Sequence, residues 1–180
     1  MHRAPLLVEL EKFAPFDDKE KADLQAMQSF IASTPDCFKR EHLAGHITAS
    51  ALILNPSYDR LLLLHHKKLD KWIQPGGHCD GDPDTRAVAE REAAEELGIK
   101  DLFLAHENIF ALDIHTIPPW KEVPEHLHYD VRYLYIADEA EHFAINHEAV
   151  AADWWSLKDL PRIAPDLARA GRKIAAFKKP

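Results

Sequence analysis

The chain has 180 residues, of which 46% are hydrophobic and 29% are charged, and its formal net charge is −8. This length and composition predict one soluble globular domain with a substantial core. The acidic balance argues against bulk binding to nucleic-acid backbones or anionic membranes. The sequence has two cysteines, no membrane-length apolar stretch and no apolar leader segment, so we expect a cytoplasmic protein without a disulfide framework.

The first part of the chain is predicted to be helical. Apolar residues recur at helical spacing from position 6 to about 38, with a break at Ala14-Pro15-Phe16-Asp17. We expect residues 1–40 to form an N-terminal helical extension and residues 41–180 to form the main domain. The simplest role of the extension is a cap packed over a sheet, and dimerisation or covering of the substrate is the alternative.

The main domain begins with β-rich segments and ends with a helix. Predicted strands, bounded by turn residues, fall at 46–54, 61–66, 71–74, 103–117, 128–136 and 154–157, of which 103–117 is either one long strand or a bent pair. Residues 160–177 are predicted to be mostly one closing helix. This order predicts an α/β fold, an α/β/α sandwich around a mixed sheet.

Three glutamates mark the most informative segment. At about 100° per residue, Glu92, Glu95 and Glu96 fall within one narrow arc of a predicted helix that follows a glycine turn at Gly76-Gly77. Such a cluster repels itself unless a divalent cation neutralises it, and hard oxygen ligands favour Mg²⁺ or Mn²⁺ over zinc. A solvated helix face is the plainer interpretation. Gly98, which suits a left-handed C-terminal cap, and the glycine turn favour the metal site.

The same residues carry a family resemblance. The stretch from Gly77 to Ile99 resembles the Nudix box, with its preceding Gln74-Pro75-Gly76-Gly77 similar to the usual entry into that box. The residues in register are Gly77, Arg91, Glu92, Ala93, Glu95, Glu96, Gly98 and Ile99. Pro83 stands where the box has its first glutamate, so that role is absent or passes to Asp82 or Asp84, either of which also suits the helix N-cap.

The resemblance implies a function and roles for the box residues. Residues 41–180 would be a Nudix hydrolase domain that uses Mg²⁺ or Mn²⁺ to cleave the phosphoanhydride of a small nucleoside diphosphate derivative, with ADP-ribose or a nucleotide sugar favoured. Glu95 and Glu96 are the implied metal ligands, Glu92 is a ligand or base, and Arg91 orients the carboxylates. The resemblance also fits a homodimer.

A general base outside the box is a further expectation of the resemblance. Glu148, in the segment Asn146-His147-Glu148 before a predicted strand, is our candidate, with Glu141 as the alternative. A plain surface carboxylate is the other interpretation of either residue.

Histidine is unusually frequent, with 12 in the chain. His78 directly follows the double glycine, and His128, Asp130 and Arg132 share one face of the predicted strand 128–136, joined by His126 if that strand begins early. These residues either form a pocket wall that grips phosphate or ribose, or are ordinary polar residues of a strand, and spacing alone does not decide between them. The candidate substrate-binding residues are Gly76, Gly77, His78, His128 and Arg132.

Two rival functions remain open at this stage. Pro83 motivates a nucleotide-binding module without catalysis. The resemblance also admits a prenyl-diphosphate isomerase, the activity of one group with this fold, for which Cys79 would be a residue of interest, although a small buried cysteine is the commoner role. In every case we expect a small-molecule partner and neither nucleic acid nor membrane.

Overall fold

The computed structural model describes residues 2–99, 101–140 and 142–177. The chain divides into two compact units. The first comprises Met1–Ser50, Gly76–Ala89 and His106–Tyr133, and the second comprises Ala51–Pro75, Glu90–Ala105 and Leu134–Pro180. None of the described helices is long and apolar enough to cross a membrane.

The described helices and strands follow one another in the order of a mixed α/β protein. In chain order they are α1 Ala4–Lys12, α2 Asp18–Ser33, β1 Gly45–Leu54, β2 Arg60–His66, β3 Lys71–Ile73, β4 Gly76–His78, α3 Thr85–Leu97, β5 Phe103–Leu104, β6 Ala111–Ile117, β7 His126–Ile136, β8 Ala149–Ser156, α4 Leu160–Ile163 and α5 Ala168–Ala176. Strands β1 and β7 and helix α3 each run through both units.

The first unit combines the N-terminal helices with strands. As predicted, α1 and α2 are separate helices, and the Asp17 side chain caps α2 by accepting a 2.9 Å hydrogen bond from the Glu20 N–H. Helix α2 packs on the strands, where the Phe30 ring stacks on Tyr129 at 4.1 Å between ring centres. Strand β4 pairs with the first half of β1, and β6 pairs with β7, both antiparallel. Residues such as Leu10 and Met27 are fully buried in this core.

The second unit is built around β2. Strand β2 pairs antiparallel with β3, with the end of β1 and with β8, and β5 pairs with the end of β7. The side chains of Leu61–Leu64 are fully buried, which explains their unbroken apolar run. Strand β8 is longer than the predicted 154–157 because it pairs with β2 along its length, from Ser156 opposite Arg60 to Ala149 opposite His66.

The structure corrects two sequence predictions. The predicted closing helix over 160–177 is broken into α4, a 3₁₀ turn at Pro165–Leu167, and α5. Pro165 has no N–H to continue the helical hydrogen bonds, so the helix stops before it. The glycine turn at Gly76-Gly77 is instead the short strand β4. The segment 103–117 is the bent pair, β5 and β6, rather than one strand.

Candidate functional site

Two aspartates accept hydrogen bonds from backbone N–H groups at the start of helix α3. The Asp84 carboxylate accepts a 3.0 Å hydrogen bond from the Ala87 N–H, which makes Asp84 the N-cap, and the Asp82 carboxylate accepts one of 3.0 Å from the Asp84 N–H. Pro83 lies between them, before the helix. Both acids beside Pro83 therefore stabilise the start of the helix.

The carboxylates of the box lie in the second unit, on the later turns of α3. The Arg91 guanidinium is 3.5 Å from a Glu92 oxygen and 3.9 Å from a Glu95 oxygen, so the structure groups these three side chains. Glu95 is exposed, the Glu92 side chain is only 18% exposed, and Glu96 is buried. This arrangement offers carboxylate oxygens at graded depth along one helix, and the roles of these residues stay predictions.

A loop of the second unit packs on the C-terminal end of α3. Gly98 has a φ of +69°, the predicted left-handed cap, and a Cβ built there would be 2.9 Å from the Ala144 Cβ. The Ala144 N–H donates to the Leu97 carbonyl at 2.8 Å, and the Asn146 N–H donates to the Glu96 carbonyl at 3.2 Å. Only glycine allows this close approach of the loop.

This loop carries the predicted general base. The Glu148 N–H donates to the Asn146 side chain at 2.8 Å, and the Glu148 carbonyl accepts from the Lys67 N–H at 2.7 Å, so its backbone is held on both sides. Its side chain is 52% exposed. The Asn146 N–H is hydrogen-bonded to the Glu96 carbonyl of α3, and the Cα of Glu148, two residues later, lies within about 7 Å of the Asn146 Cα. The alternative, Glu141, lies outside the described residues.

The double glycine has a structural reason of its own. A Cβ built on Gly76 would lie 2.4 Å from the Ser50 Oγ and 2.7 Å from the Ala49 carbonyl oxygen, because β4 pairs closely with β1. The glycine is therefore required by strand packing, whether or not a phosphate also approaches it. Phosphate contact at Gly76 and Gly77 stays a prediction.

Three histidines converge in the first unit. One ring nitrogen from each of His46, His78 and His128 lies within 4.8 Å of the others, and the ring centres are 4.8–5.1 Å apart. His126 is 5.1 Å from His46, and His115 is 5.5 Å from His128, between ring centres. The structure thus groups His78 with His128, two predicted substrate-binding residues. We call His46, His78 and His128 the histidine cluster.

Burial sets the charge state of the histidine cluster. Loss of solvation lowers the pKa of His46 and of His78 to about 4 and that of His128 to about 2. Repulsion from neighbouring histidines and, for His46 and His78, from the Arg40 guanidinium lowers these pKa values further. The three rings are therefore neutral near pH 7.

Arg132, the remaining predicted substrate contact, is buried in ion pairs. Its Nε donates to Asp130 at 2.7 Å, and its terminal nitrogen donates to Asp113 at 3.0 Å. Asp130 also accepts hydrogen bonds from Thr48 at 3.1 Å and Ser50 at 2.7 Å. Asp130 and Arg132 thus share one face of β7 as predicted, and the two carboxylates already engage the guanidinium.

His46 is the residue that sequence reasoning missed. His46, Thr48 and Ser50 alternate with apolar residues along β1 and form one polar face of that strand. In the sequence this face is hard to recognise among the apolar residues of the segment. The frequency of histidine was a signal, but it did not say which rings would meet.

With this geometry established, the class of protein is clear. The NUDIX domain family matches residues 45–176. The chain therefore belongs to the Nudix family, with the mixed α/β Nudix fold and α1 and α2 at its N-terminus. Membership of this family identifies the chain as a Nudix hydrolase acting on phosphoanhydrides. No curated protein sequence matches the chain.

Solved structures with this fold carry different names. A C. elegans Ap4A hydrolase complex is 23% identical, with a TM-score of 0.59, and the match covers 73% of this chain and 96% of that one. The E. coli dihydroneopterin triphosphate pyrophosphohydrolase is 14% identical, with a TM-score of 0.55 and coverage of 73% and 93%. The NUDIX domain of Shewanella oneidensis NrtR, complexed with ADP ribose, is 17% identical, with a TM-score of 0.53 and coverage of 82% and 96%. At these identities the likeness shows the fold alone.

Proposed function

We propose that this Nudix hydrolase cleaves the phosphoanhydride of a small nucleoside diphosphate derivative, of the ADP-ribose or nucleotide-sugar type, with Mg²⁺ or Mn²⁺. The observation that carries the proposal is the group of carboxylates on α3, where Glu92 is largely buried, Glu95 is exposed and Glu96 is buried. The ADP-ribose complex of a similarly folded domain supports this substrate class.

The residues present fit a hard divalent cation. Glu92, Glu95 and Glu96 supply only carboxylate oxygens, the donors that Mg²⁺ and Mn²⁺ prefer. When bound, such an ion neutralises phosphate charge and lowers the pKa of a bound water. Arg91 keeps the carboxylates oriented through its contacts with Glu92 and Glu95.

Glu148 is our proposal for the general base. Its backbone is fixed by the Asn146 side chain and by Lys67, while its carboxylate is exposed. The carboxylate would take a proton from the water that attacks phosphorus, as the bond from phosphorus to the bridging oxygen breaks. The proposed substrate contacts remain Gly76, Gly77, His78, His128 and Arg132. Arg132 would contact the substrate while it stays paired with Asp130 and Asp113.

We also propose a cellular location and a class of partner for this protein. Cys37 and Cys79 are both buried, and among the described residues neither is joined in a disulfide, which supports a reducing, cytoplasmic compartment. The net charge of −8 supports a small nucleotide partner rather than a nucleic acid. Residues 1–40 as an extension, residues 41–180 as the hydrolase domain and a homodimer stay predictions.

The test is a substrate panel with matched variants. ADP-ribose, a UDP-sugar, Ap4A and dihydroneopterin triphosphate are incubated with the protein in Mg²⁺, Mn²⁺ or EDTA, and the phosphate-containing products are quantified. Glu95→Gln is compared with Glu90→Gln, a change on the same helix that keeps an acceptor for the Tyr135 hydroxyl, now 3.1 Å away. We expect turnover of ADP-ribose or the UDP-sugar that requires metal and Glu95 but not Glu90.

The other outcomes are informative. Preference for Ap4A or dihydroneopterin triphosphate would overturn the substrate class but keep the reaction. Binding of nucleotides by a folded protein without any turnover would favour the binding module suggested by Pro83. Conversion of isopentenyl diphosphate that Cys79→Ala abolishes would favour the isomerase.

A further inference from the structure

The histidine cluster has features that ordinary strand histidines lack. His46 is 2% exposed, and its ring nitrogens form no close hydrogen bond within the part of the chain that the structure describes, although the His42 backbone interacts with the ring. The Nε2 atom of His128 is buried and unpartnered within the same residues. Buried polar groups without partners are costly, so their retention calls for a ligand that satisfies them.

Strand pairing explains how these rings meet. His78 on β4 pairs with Thr48 on β1, which places it beside His46, two residues earlier on the same face of β1. His128 on β7 pairs with His115 on β6, and its ring centre lies 4.8 Å from that of His46. Three different strands therefore each supply one imidazole, and strands hold their side chains in well-defined directions.

We propose that His46, His78 and His128 bind one transition-metal ion of the Zn²⁺ class. Three neutral imidazoles are the ligands that Zn²⁺ and its neighbours prefer, whereas Mg²⁺ prefers oxygen. Three nitrogens bound to a tetrahedral ion at about 2.1 Å lie roughly 3.4 Å apart. The three ring nitrogens now lie within 4.8 Å of one another, so side-chain rotation must bring them closer when the ion binds. The fourth position is left to water or to an oxygen of a bound phosphate.

This site uses nitrogen ligands of the first unit, whereas the proposed Mg²⁺ ligands are carboxylates of the second unit. The proposal therefore stands independently of the proposed hydrolysis. It also changes the role predicted for His78 and His128, because metal ligation uses the ring nitrogens that a direct phosphate contact would need.

Cobalt is the probe that separates the two kinds of site. Metal-stripped protein is titrated with Co²⁺ in excess Mg²⁺, which occupies oxygen ligands, and visible absorption reports nitrogen coordination in a tetrahedral field. We expect one Co²⁺ per chain, displaced by one equivalent of Zn²⁺. Glu95→Gln should leave this stoichiometry unchanged.

Variants of two of the three ligands test the site. His78→Ala and His128→Ala should each weaken Co²⁺ binding by about 100-fold or more, since loss of a ligand exceeds the effect of losing an outer-shell partner. His142→Ala, at an exposed histidine outside the cluster, should bind as the unmodified chain does. His78→Cys should restore binding and add a thiolate-to-cobalt charge-transfer band.

Folding is checked independently by circular dichroism, and Zn²⁺ should raise the Tm of the unmodified chain but not that of His78→Ala. Folded protein that binds no Co²⁺ in excess Mg²⁺ would overturn the proposal. Equal Co²⁺ affinity in the unmodified chain, His78→Ala and His128→Ala would overturn it as well.

Discussion

Glu20→Ala is expected to loosen the contact between the N-terminal helices and the strands of the first unit. Glu20 lies on α2 and is 1% exposed. One of its carboxylate oxygens accepts a 3.1 Å hydrogen bond from the N–H of Leu112 on β6, and the other accepts a 2.6 Å hydrogen bond from the Phe16 N–H. The carboxylate therefore joins the start of α2 to a buried strand.

The two amides differ in what they lose. Leu112 is fully buried, so water cannot replace the Glu20 carboxylate as acceptor for its N–H, and this loss should lower the free energy of unfolding by about 2–3 kcal/mol. Phe16 is exposed, so the loss of the same acceptor for its N–H should lower it by only about 1 kcal/mol. The free energy of unfolding should therefore fall by about 3 kcal/mol, a large part of the total stability of a typical domain. For a chain of this size the Tm would fall by roughly 6–12 °C.

Urea unfolding followed by circular dichroism measures this loss, and amide hydrogen exchange at Leu112 locates it. Glu20→Gln keeps one acceptor oxygen and should lose about half as much. Lys21→Ala, an exposed neighbour, should change the free energy by no more than about 0.5 kcal/mol. A loss below about 1 kcal/mol for Glu20→Ala, with unchanged protection of the Leu112 amide, would show that the Glu20 carboxylate does not stabilise this buried N–H.

Three further predictions concern the buried polar face, the histidine cluster and the loop carboxylate. Arg132→Met should lower the free energy of unfolding in urea by about 3 kcal/mol, because it removes the guanidinium that pairs with the buried Asp130 carboxylate; a change below about 1 kcal/mol would contradict this. In metal-free protein, the cluster histidines should contribute their full stabilisation above about pH 6.5, and the free energy of unfolding should fall as the pH drops towards 4. The reason is that these histidines take up protons in the unfolded chain but stay neutral in the folded one. At pH 5 His46 alone accounts for about 2 kcal/mol, so His46→Asn should flatten the pH dependence of urea midpoints, and an already flat profile in the unmodified chain would be inconsistent with buried neutral rings. Glu148→Gln should lower kcat by about 100-fold or more with little change in KM in initial-rate assays, and a kcat within about threefold would place the base elsewhere.

Local patterns predicted the elements whose formation depends on local chemistry. The spacing of apolar residues and the break at Pro15 gave both N-terminal helices, and Gly98 was recognisable as a left-handed cap. The prediction of one helix over 160–177 did not take account of Pro165, at which the structure breaks that helix. The length of β8 was not visible, because it depends on pairing with β2, far away in sequence.

The candidate site divides in the same way. The carboxylates of α3 could be predicted because one helix places them together, and so could the shared face of His126, His128 and Arg132. The histidine cluster could not, because His46 comes from a strand about 80 residues before His128 and only sheet pairing joins them. The capture of Arg132 by Asp113 likewise depends on the pairing of β6 with β7.

The role of the α3 carboxylates as metal ligands is tested most directly by the rate of ADP-ribose hydrolysis by the unmodified chain, Glu95→Gln and Glu90→Gln in Mg²⁺ and in EDTA. We predict release of AMP and ribose phosphate in Mg²⁺, abolished by EDTA, lowered by about 100-fold or more in Glu95→Gln and unchanged in Glu90→Gln. Hydrolysis that persists in EDTA, or that Glu95→Gln and Glu90→Gln affect equally, would contradict the assignment of the α3 carboxylates as the catalytic metal ligands.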